Sequence, residues 1–297
     1  MKKEDLRHLE ADLRHLEADL RHLEGKDISE VINFADKLFK KSLEGKKKAH
    51  YIYNICLEQI PNVHSHQYTK PRGYLRGKIW EAERYFNWNK DFFSQDGQDK
   101  CVKNHFFKNL KKGFFVEIGA FNGINGSNCF YFEKFMDWNG IAVEPSPVHF
   151  EKLKKNRKCI CINKAISNQN DHKEFVEVTN GYTQMSGILT DEYKKTLDII
   201  MKDPRTKMNK LNIKTSTFNE IVGENKIIDY LSIDVEGEEE RILESIDFNY
   251  FNIKVISVEN NYPKKNNYNN LLKDKGFTYF DNYGVDELYY NKKYFEY

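Results

Sequence analysis

Apolar residues recur along this chain in two regimes. Over the first 60 residues they fall three and four apart. Leu6, Leu9, Leu13, Leu16, Leu20 and Leu23 form one seam within "DLRHLEADLRHLEADLRHLEG", a seven-residue unit given three times, and that spacing is the a and d pattern of a coiled-coil helix. Glu10 with Arg14 and Glu17 with Arg21 make favourable i,i+4 pairs, whereas Asp at every g and Glu at every e would repel across a parallel dimer. A tandem duplication in the coding sequence is the competing explanation for three identical copies. Residues 1–25 are thus read as a heptad helix and a candidate site of homo-oligomerisation. Gly25 ends it. Ile28, Val31, Ile32, Ala35, Leu38 and Phe39 then stripe a second helix capped by Asp27, and "KKKAHYIYNICLEQI" continues as a third up to Pro61. Residues 61–77, with two prolines and two glycines, read as a loop.

From about Phe93 the pattern changes to short apolar runs alternating with helical stretches. Strands are predicted at 113–119, 140–145, 159–163, 226–234 and 253–259. Helices are predicted at 124–138, 146–156, 238–246 and 266–276, and a final hairpin at 277–291. An extra strand (173–179), a helix (190–203) and a short helix (216–223) interrupt the series. Strand-helix-strand repetition implies a parallel sheet with helices on its faces. Three regions follow: 1–25, a helical region with a loop at 26–92, and an α/β domain at 93–297.

Composition changes this picture little. A chain of 297 residues suits one domain of about 200 residues with an appendage. A net charge of +2 makes no demand for nucleic acid or a membrane surface. No window approaches the roughly 18 apolar residues of a membrane span, and the N-terminus lacks the apolar core of a signal peptide, so a soluble, cytoplasmic protein is expected. The five cysteines contain one close pair, a C-x-C, and are read as reduced structural thiols. His64 and His66 supply two metal ligands at best and read as loop residues. His149 reads as a solvated helical residue.

The predicted strand ends carry Glu117, Glu144, Asp234 and Glu259, and open α/β sheets bind ligands at the C-terminal ends of their strands. In the first turn, "EIGAFNGING", a dinucleotide fingerprint from Gly119 would need glycine where Phe121 and Ile124 stand, which disfavours NAD. The E-x-G-x-x-x-G spacing of Glu117, Gly119 and Gly123 suits a cofactor whose amino-acid part crosses the turn without a pyrophosphate. Glu144, at the end of the second strand, is placed to accept ribose hydroxyls. Together these point to S-adenosylmethionine.

The ordered blocks "FFVEIGAFNGINGSNCFYFEK", "GIAVEPSP", "NKAIS", "YLSIDVEGEEERIL" and "ISVEN" resemble the FkbM family of S-adenosylmethionine-dependent methyltransferases, and "SQDGQDKCV" (94–102) resembles a lead-in found in part of it. The resemblance covers the chain from about Ser94 onward. It implies a Rossmann-like class I methyltransferase fold: a mostly parallel seven-stranded sheet with a C-terminal antiparallel hairpin, here with a helical N-terminal extension. It further implies that Glu117 and Gly119 flank the methionine part, that Glu144 holds the ribose, and that Ala165 and Ile166 border the adenine. Asp234 and Glu236 would face the transferred methyl and the acceptor. The family usually has Lys two residues before this Asp; here it is Ser232.

A hydroxyl acceptor must lose a proton on methylation, and a carboxylate with a raised pKa can take it. Asp234, Glu236 and Glu259 are the candidates. Glu238, Glu239 and Glu240 read instead as the start of a helix, where negative charge complements the dipole. Oxygen ligands at Asp234, Glu236 and Glu259 would suit magnesium or calcium, but the spacing is not diagnostic and no metal is assigned. The expected reaction is O-methylation of a small-molecule or glycan acceptor. The alternatives are RNA ribose methylation, supported by basic clusters but lacking the expected lysines, and a catalytically silent oligomeric interaction protein. Nucleic acid is not the expected partner.

Overall fold

The computed structural model describes residues 27–224 and 227–295. The heptad segment lies outside the described residues. The described chain divides into two compact units, residues 27–61 with 78–88 and residues 62–77 with 89–295.

In the first unit, α1 (Ile28–Lys41) and α2 (Leu43–Gln59) form where the apolar stripes predict them. Asp27 accepts from the Ser29 amide and Ser42 from the Gly45 amide, satisfying free N–H groups at each start. A Cβ on Gly45 would stand 2.2 Å from the Leu38 carbonyl oxygen, so only glycine fits where the chain turns between the helices. Ala35, Phe39, Ala49, Ile52 and Tyr53 are buried, and the Tyr53 hydroxyl donates to Asp36.

The expected boundary at residue 93 is not where the chain divides, since residues 62–77 pack with the α/β unit. Nor are residues 61–77 a loop throughout: α3 (His66–Tyr85) takes in Pro71, Gly73 and Gly77. Tertiary contacts override local propensity there. Arg72 donates both Nε and Nη2 to Asp281 at 2.7 and 2.8 Å, Arg76 adds two more bonds to the same carboxylate, and a Cβ on Gly73 would lie 2.0 Å from the Gly284 carbonyl oxygen. His64 is not a solvated loop residue either, with Nε2 3.3 Å from the buried Glu287 carboxylate.

After α4 (Gln98–His105), the second unit alternates strands and helices: β1 (Phe114–Ile118), α5 (Phe130–Met136), β2 (Asn139–Val143), α6 (Pro147–Asn156) and β3 (Ile160–Ile162). An inserted region follows, with β4 (Ala165–Ile166), β5 (His172–Asn180), β6 (Gly187–Ile188), α7 (Asp191–Ile200), β7 (Lys207–Ser216) and α8 (Phe218–Val222). The alternation then resumes with β8 (Ile227–Ile233), α9 (Glu239–Ser245), β9 (Asn252–Glu259), α10 (Tyr268–Lys273) and the hairpin β10 (Phe277–Tyr283) and β11 (Asp286–Asn291).

The main sheet has the order β10-β11-β9-β8-β1-β2-β3, parallel except for β11, which runs antiparallel to both of its neighbours. The expected seven-stranded sheet with its C-terminal hairpin is therefore present. A second sheet, β4-β7-β5-β6, was only partly foreseen, because β7 is built largely of Lys, Asn and Thr. Both faces of the main sheet are covered, as parallel strands require. Val116, Ile118, Leu231, Ile233, Ile256 and Val258 enter one core, while Phe115, Tyr230, Val255 and Leu288 enter the other beside Phe132 and Trp138.

Candidate active site

The chain leaves β1 toward β2 on one side and returns through β8 on the other, so strand order reverses between β1 and β8. A cleft of about 620 Å³ opens there, at the C-terminal ends of the strands. The register explains its composition. Ile118 pairs with Val143 and Ile233, and Ile233 with Val258. The residues one step further on, Gly119, Glu144, Asp234 and Glu259, therefore form a single row at the mouth, and all four line the cleft.

Gly119 must be glycine. Its φ is +87°, and a Cβ would stand 1.7 Å from the Asp234 carbonyl oxygen. Glu144 accepts from the Phe121 and Ser146 amides, both at 2.8 Å, which hold both carboxylate oxygens in place. Burial, opposed by those two amides and reinforced by Asp234 and Glu177, pushes its carboxyl up to about 8. Ala165, Ile166, Phe175 and Ile188 supply an apolar wall. His149 is not solvated as expected: it is buried, packs against Phe121 with ring centroids 4.3 Å apart and planes tilted by 43°, and burial lowers its pKa. The 94–102 lead-in also acquires a structural role. Buried Asp99 accepts from the Phe93 and Ser94 amides and the Ser94 hydroxyl, fixing a loop that puts Gln95 on the cleft wall.

On the far side, β8 ends at Ile233, so Asp234 and Glu236 project from the turn and not from a strand. Both line the cleft nonetheless, and Glu236 has φ +61°, the left-handed region. Burial pushes Asp234 up to about 6 against a hydrogen bond with Glu259, and raises Glu259 and Glu236 well above the ordinary carboxylate range.

Two of the sequence-predicted site residues do not line the cleft. Glu117 lies two positions deeper than the mouth row and accepts from Arg157 Nη1 at 2.7 Å, the Ser127 hydroxyl at 2.7 Å and the Asn128 amide at 2.9 Å. It is a structural carboxylate that organises the chain entering α5. Gly123 packs behind the turn, where a Cβ would stand 2.8 Å from both Leu153 and Arg157. Ser232 is buried and accepts from Asn128 Nδ2 at 3.0 Å.

Sequence reasoning missed Glu239. It does begin a helix, but its carboxylate turns back to accept from the Val235 and Gly237 amides, and carboxylate oxygens of Asp234, Glu239 and Glu259 lie within 4.8 Å of one another. Burial pushes it up to about 7. Glu238, by contrast, is buried with Ser167, Lys173 and Arg241 as partners. Among the described residues no helix is long and apolar enough to cross a membrane.

The family model of the methyltransferase FkbM domain matches residues 117–279, more than half of the chain. Among solved structures the chain is similar to methyltransferase FkbM from Methylobacillus flagellatus KT, at 8% identity and a TM-score of 0.41, covering 82% of this chain and 59% of that one. This chain thus spans less than two thirds of that protein. It is also similar to a TehB-like SAM-dependent methyltransferase from Corynebacterium glutamicum ATCC 13032 Kitasato, at 8% identity and a TM-score of 0.35, covering 71% of this chain and 96% of that one. The METTL16 MTase domain aligns at 12% identity and a TM-score of 0.32, over 92% of this chain and 94% of that one. No curated protein matches the chain. With the family match spanning the strands that build the cleft, the chain belongs to the FkbM methyltransferase family.

Proposed function

We propose that the protein is an S-adenosylmethionine-dependent O-methyltransferase acting on a hydroxyl of a sugar or glycoconjugate. The observation that carries this reading is the mouth row, with Gly119 between Glu144 on one side and Asp234 and Glu259 on the other, all lining one cleft. The cleft volume falls within the roughly 300–1,000 Å³ usual for small-ligand sites. The donor set fits the cofactor. Glu144 has lone pairs beyond those used by Phe121 and Ser146 for two hydroxyls, Ala165 and Ile166 offer an apolar edge to a base, and Gly119 leaves the turn clear of a side chain. The bound cofactor would supply an electrophilic methyl on a sulfonium.

The chain's own part is alignment and proton removal. An acceptor hydroxyl held at the mouth would have to give up its proton as it takes the methyl group, and a carboxylate there would receive it. Asp234 and Glu259 are the candidates to receive it, because both sit at the mouth with raised pKa values. In-line approach accounts for most of the acceleration. Titration calorimetry with S-adenosylhomocysteine tests the cofactor assignment: saturable binding supports it, and no binding by the folded protein refutes it. A labelled-methyl screen of glycans, small polyols and RNA then tests the acceptor class, with methylation of RNA ribose replacing the glycan reading.

A further inference from the structure

Several buried carboxylates in the second unit are paired with side-chain cations. Glu117 and Glu133 share Arg157, Asp281 has Arg72 and Arg76, Glu238 has Lys173 and Arg241, and Asp229 has Lys254. Others, such as Asp99, Glu144 and Asp286, are held by amide or hydroxyl donors, and the mouth of β8 gathers several carboxylates in one place. Asp234, Glu239 and Glu259 meet there with Glu236 lining the same cleft, and among the described residues no lysine, arginine or histidine forms an ion pair with any of them.

The geometry of the group is specific. Carboxylate oxygens of Asp234, Glu239 and Glu259 lie within 4.8 Å of one another. Oxygens bound to one divalent ion at about 2.0–2.6 Å stand at most about 4–5 Å apart, so these three can share an ion without rearrangement. Glu239 is already oriented by the Val235 and Gly237 amides, as a ligand held by outer hydrogen bonds would be. A second observation is independent of the cluster's acidity: Glu236 Oε2 is buried and has no hydrogen-bond partner. Glu236 lines the cleft together with Asp234 and Glu259. A buried charged oxygen without a partner is costly unless a cation supplies one.

We propose that Asp234, Glu239 and Glu259, with Glu236 as a fourth carboxylate, form a divalent-cation site selective for hard, oxygen-preferring ions such as magnesium, calcium or manganese. The site opens on the cleft through Asp234, Glu236 and Glu259. Resting on the methyl-transfer reading, the ion's open positions would take two adjacent oxygens of the acceptor, which selects vicinal diols and α-hydroxy acids over isolated hydroxyls.

The test is manganese binding by the full chain, followed by electron paramagnetic resonance with and without S-adenosylhomocysteine, alongside the melting temperature with each of the three ions. One manganese per chain and a rise in melting temperature are expected. Glu259→Gln and Glu239→Gln should each weaken manganese binding by at least about tenfold. Glu240→Gln, a change at an exposed neighbour, should leave it unaltered. Absence of saturable binding in the wild type, or equal binding in both cluster variants, overturns the site. Should a Gln variant fail to fold, the wild-type thermal shift still decides. A shift with glucosamine but not with manganese would also overturn the proposal, in favour of an ammonium-bearing acceptor. Homocysteine-analogue binding without manganese binding defeats the metal site alone; manganese binding without the analogue defeats the cofactor reading alone.

Discussion

Arg157→Met is the change that most directly separates the scaffold from the cleft. In the wild type the guanidinium is fully buried, donates 2.7 Å bonds to Glu117 and Glu133, and lies over the rings of Phe115 and Phe130. Methionine keeps most of the apolar stem and removes the cation together with its bonds to the Gly123 carbonyl and the Ser127 hydroxyl. Two carboxylates then stay behind. Breaking a buried pair costs about 3–5 kcal/mol. Glu117 keeps the Ser127 hydroxyl and the Asn128 amide as donors, and Glu133 keeps the Lys158 amide at 2.7 Å, so the lower end, about 3 kcal/mol, is expected at pH 8. A buried carboxyl without its cation is less costly when protonated, so the deficit should shrink toward about 1 kcal/mol at pH 5. Urea unfolding at the two pH values measures both.

Two further readouts sharpen that prediction. Adding Glu117→Gln to Arg157→Met should recover part of the loss, because the pair is removed together and not left half-buried. Affinity for S-adenosylhomocysteine should fall several-fold, since Glu117 fixes residues 127–129 and Ser127 borders the cleft. A deficit below about 1 kcal/mol at both pH values, or one independent of pH, would refute the view that Glu117 is held as half of a buried ion pair.

Other outcomes follow from the mouth row. Gly119→Ala places a Cβ 1.7 Å from the Asp234 carbonyl oxygen at φ +87°, and should cost about 2–5 kcal/mol in thermal unfolding while abolishing cofactor binding. Asp234→Asn should leave S-adenosylhomocysteine affinity near wild type and lower turnover by about 10²–10⁴-fold in a methyl-transfer assay. Burial raises Glu144 to about 8, Glu239 to about 7 and Asp234 to about 6, above unfolded values near 4. Their stabilising contribution is complete below about pH 4 and is lost as pH rises through those folded values. The ligand-free protein should therefore show a lower urea midpoint at pH 8.5 than the acid range of other groups alone would give, and Glu259→Gln should flatten that alkaline loss.

Much of the fold was legible because it rests on local pattern. The buried parallel strands are near-continuous apolar runs, and each falls where its run lies. What escaped was held by distant partners. Helix α3 tolerates Pro71 because Arg72 and Arg76 reach Asp281, some 200 residues away in the sequence. Strand β7 carries little apolar signal and exists because it pairs along the length of β5.

The site shows the same division more finely. Glu117, Glu144, Asp234 and Glu259 look equivalent as acids near the ends of apolar runs, yet only three reach the cleft. What separates them is the register of the paired strands. Glu144, Asp234 and Glu259 follow Val143, Ile233 and Val258, which lie level with Ile118 across the sheet, so Gly119 and not Glu117 occupies the equivalent place. Counting from the last apolar residue of each strand, and not from the acid, aligns the mouth row and leaves Glu117 two positions inside it. A carboxylate at that depth has no water to face and needs donors from the protein, which Arg157, Ser127 and Asn128 supply. The acids of the mouth row have no such cationic partner among the described residues. Their place on the cleft wall, more than their number, makes them the part of the molecule that a ligand can reach.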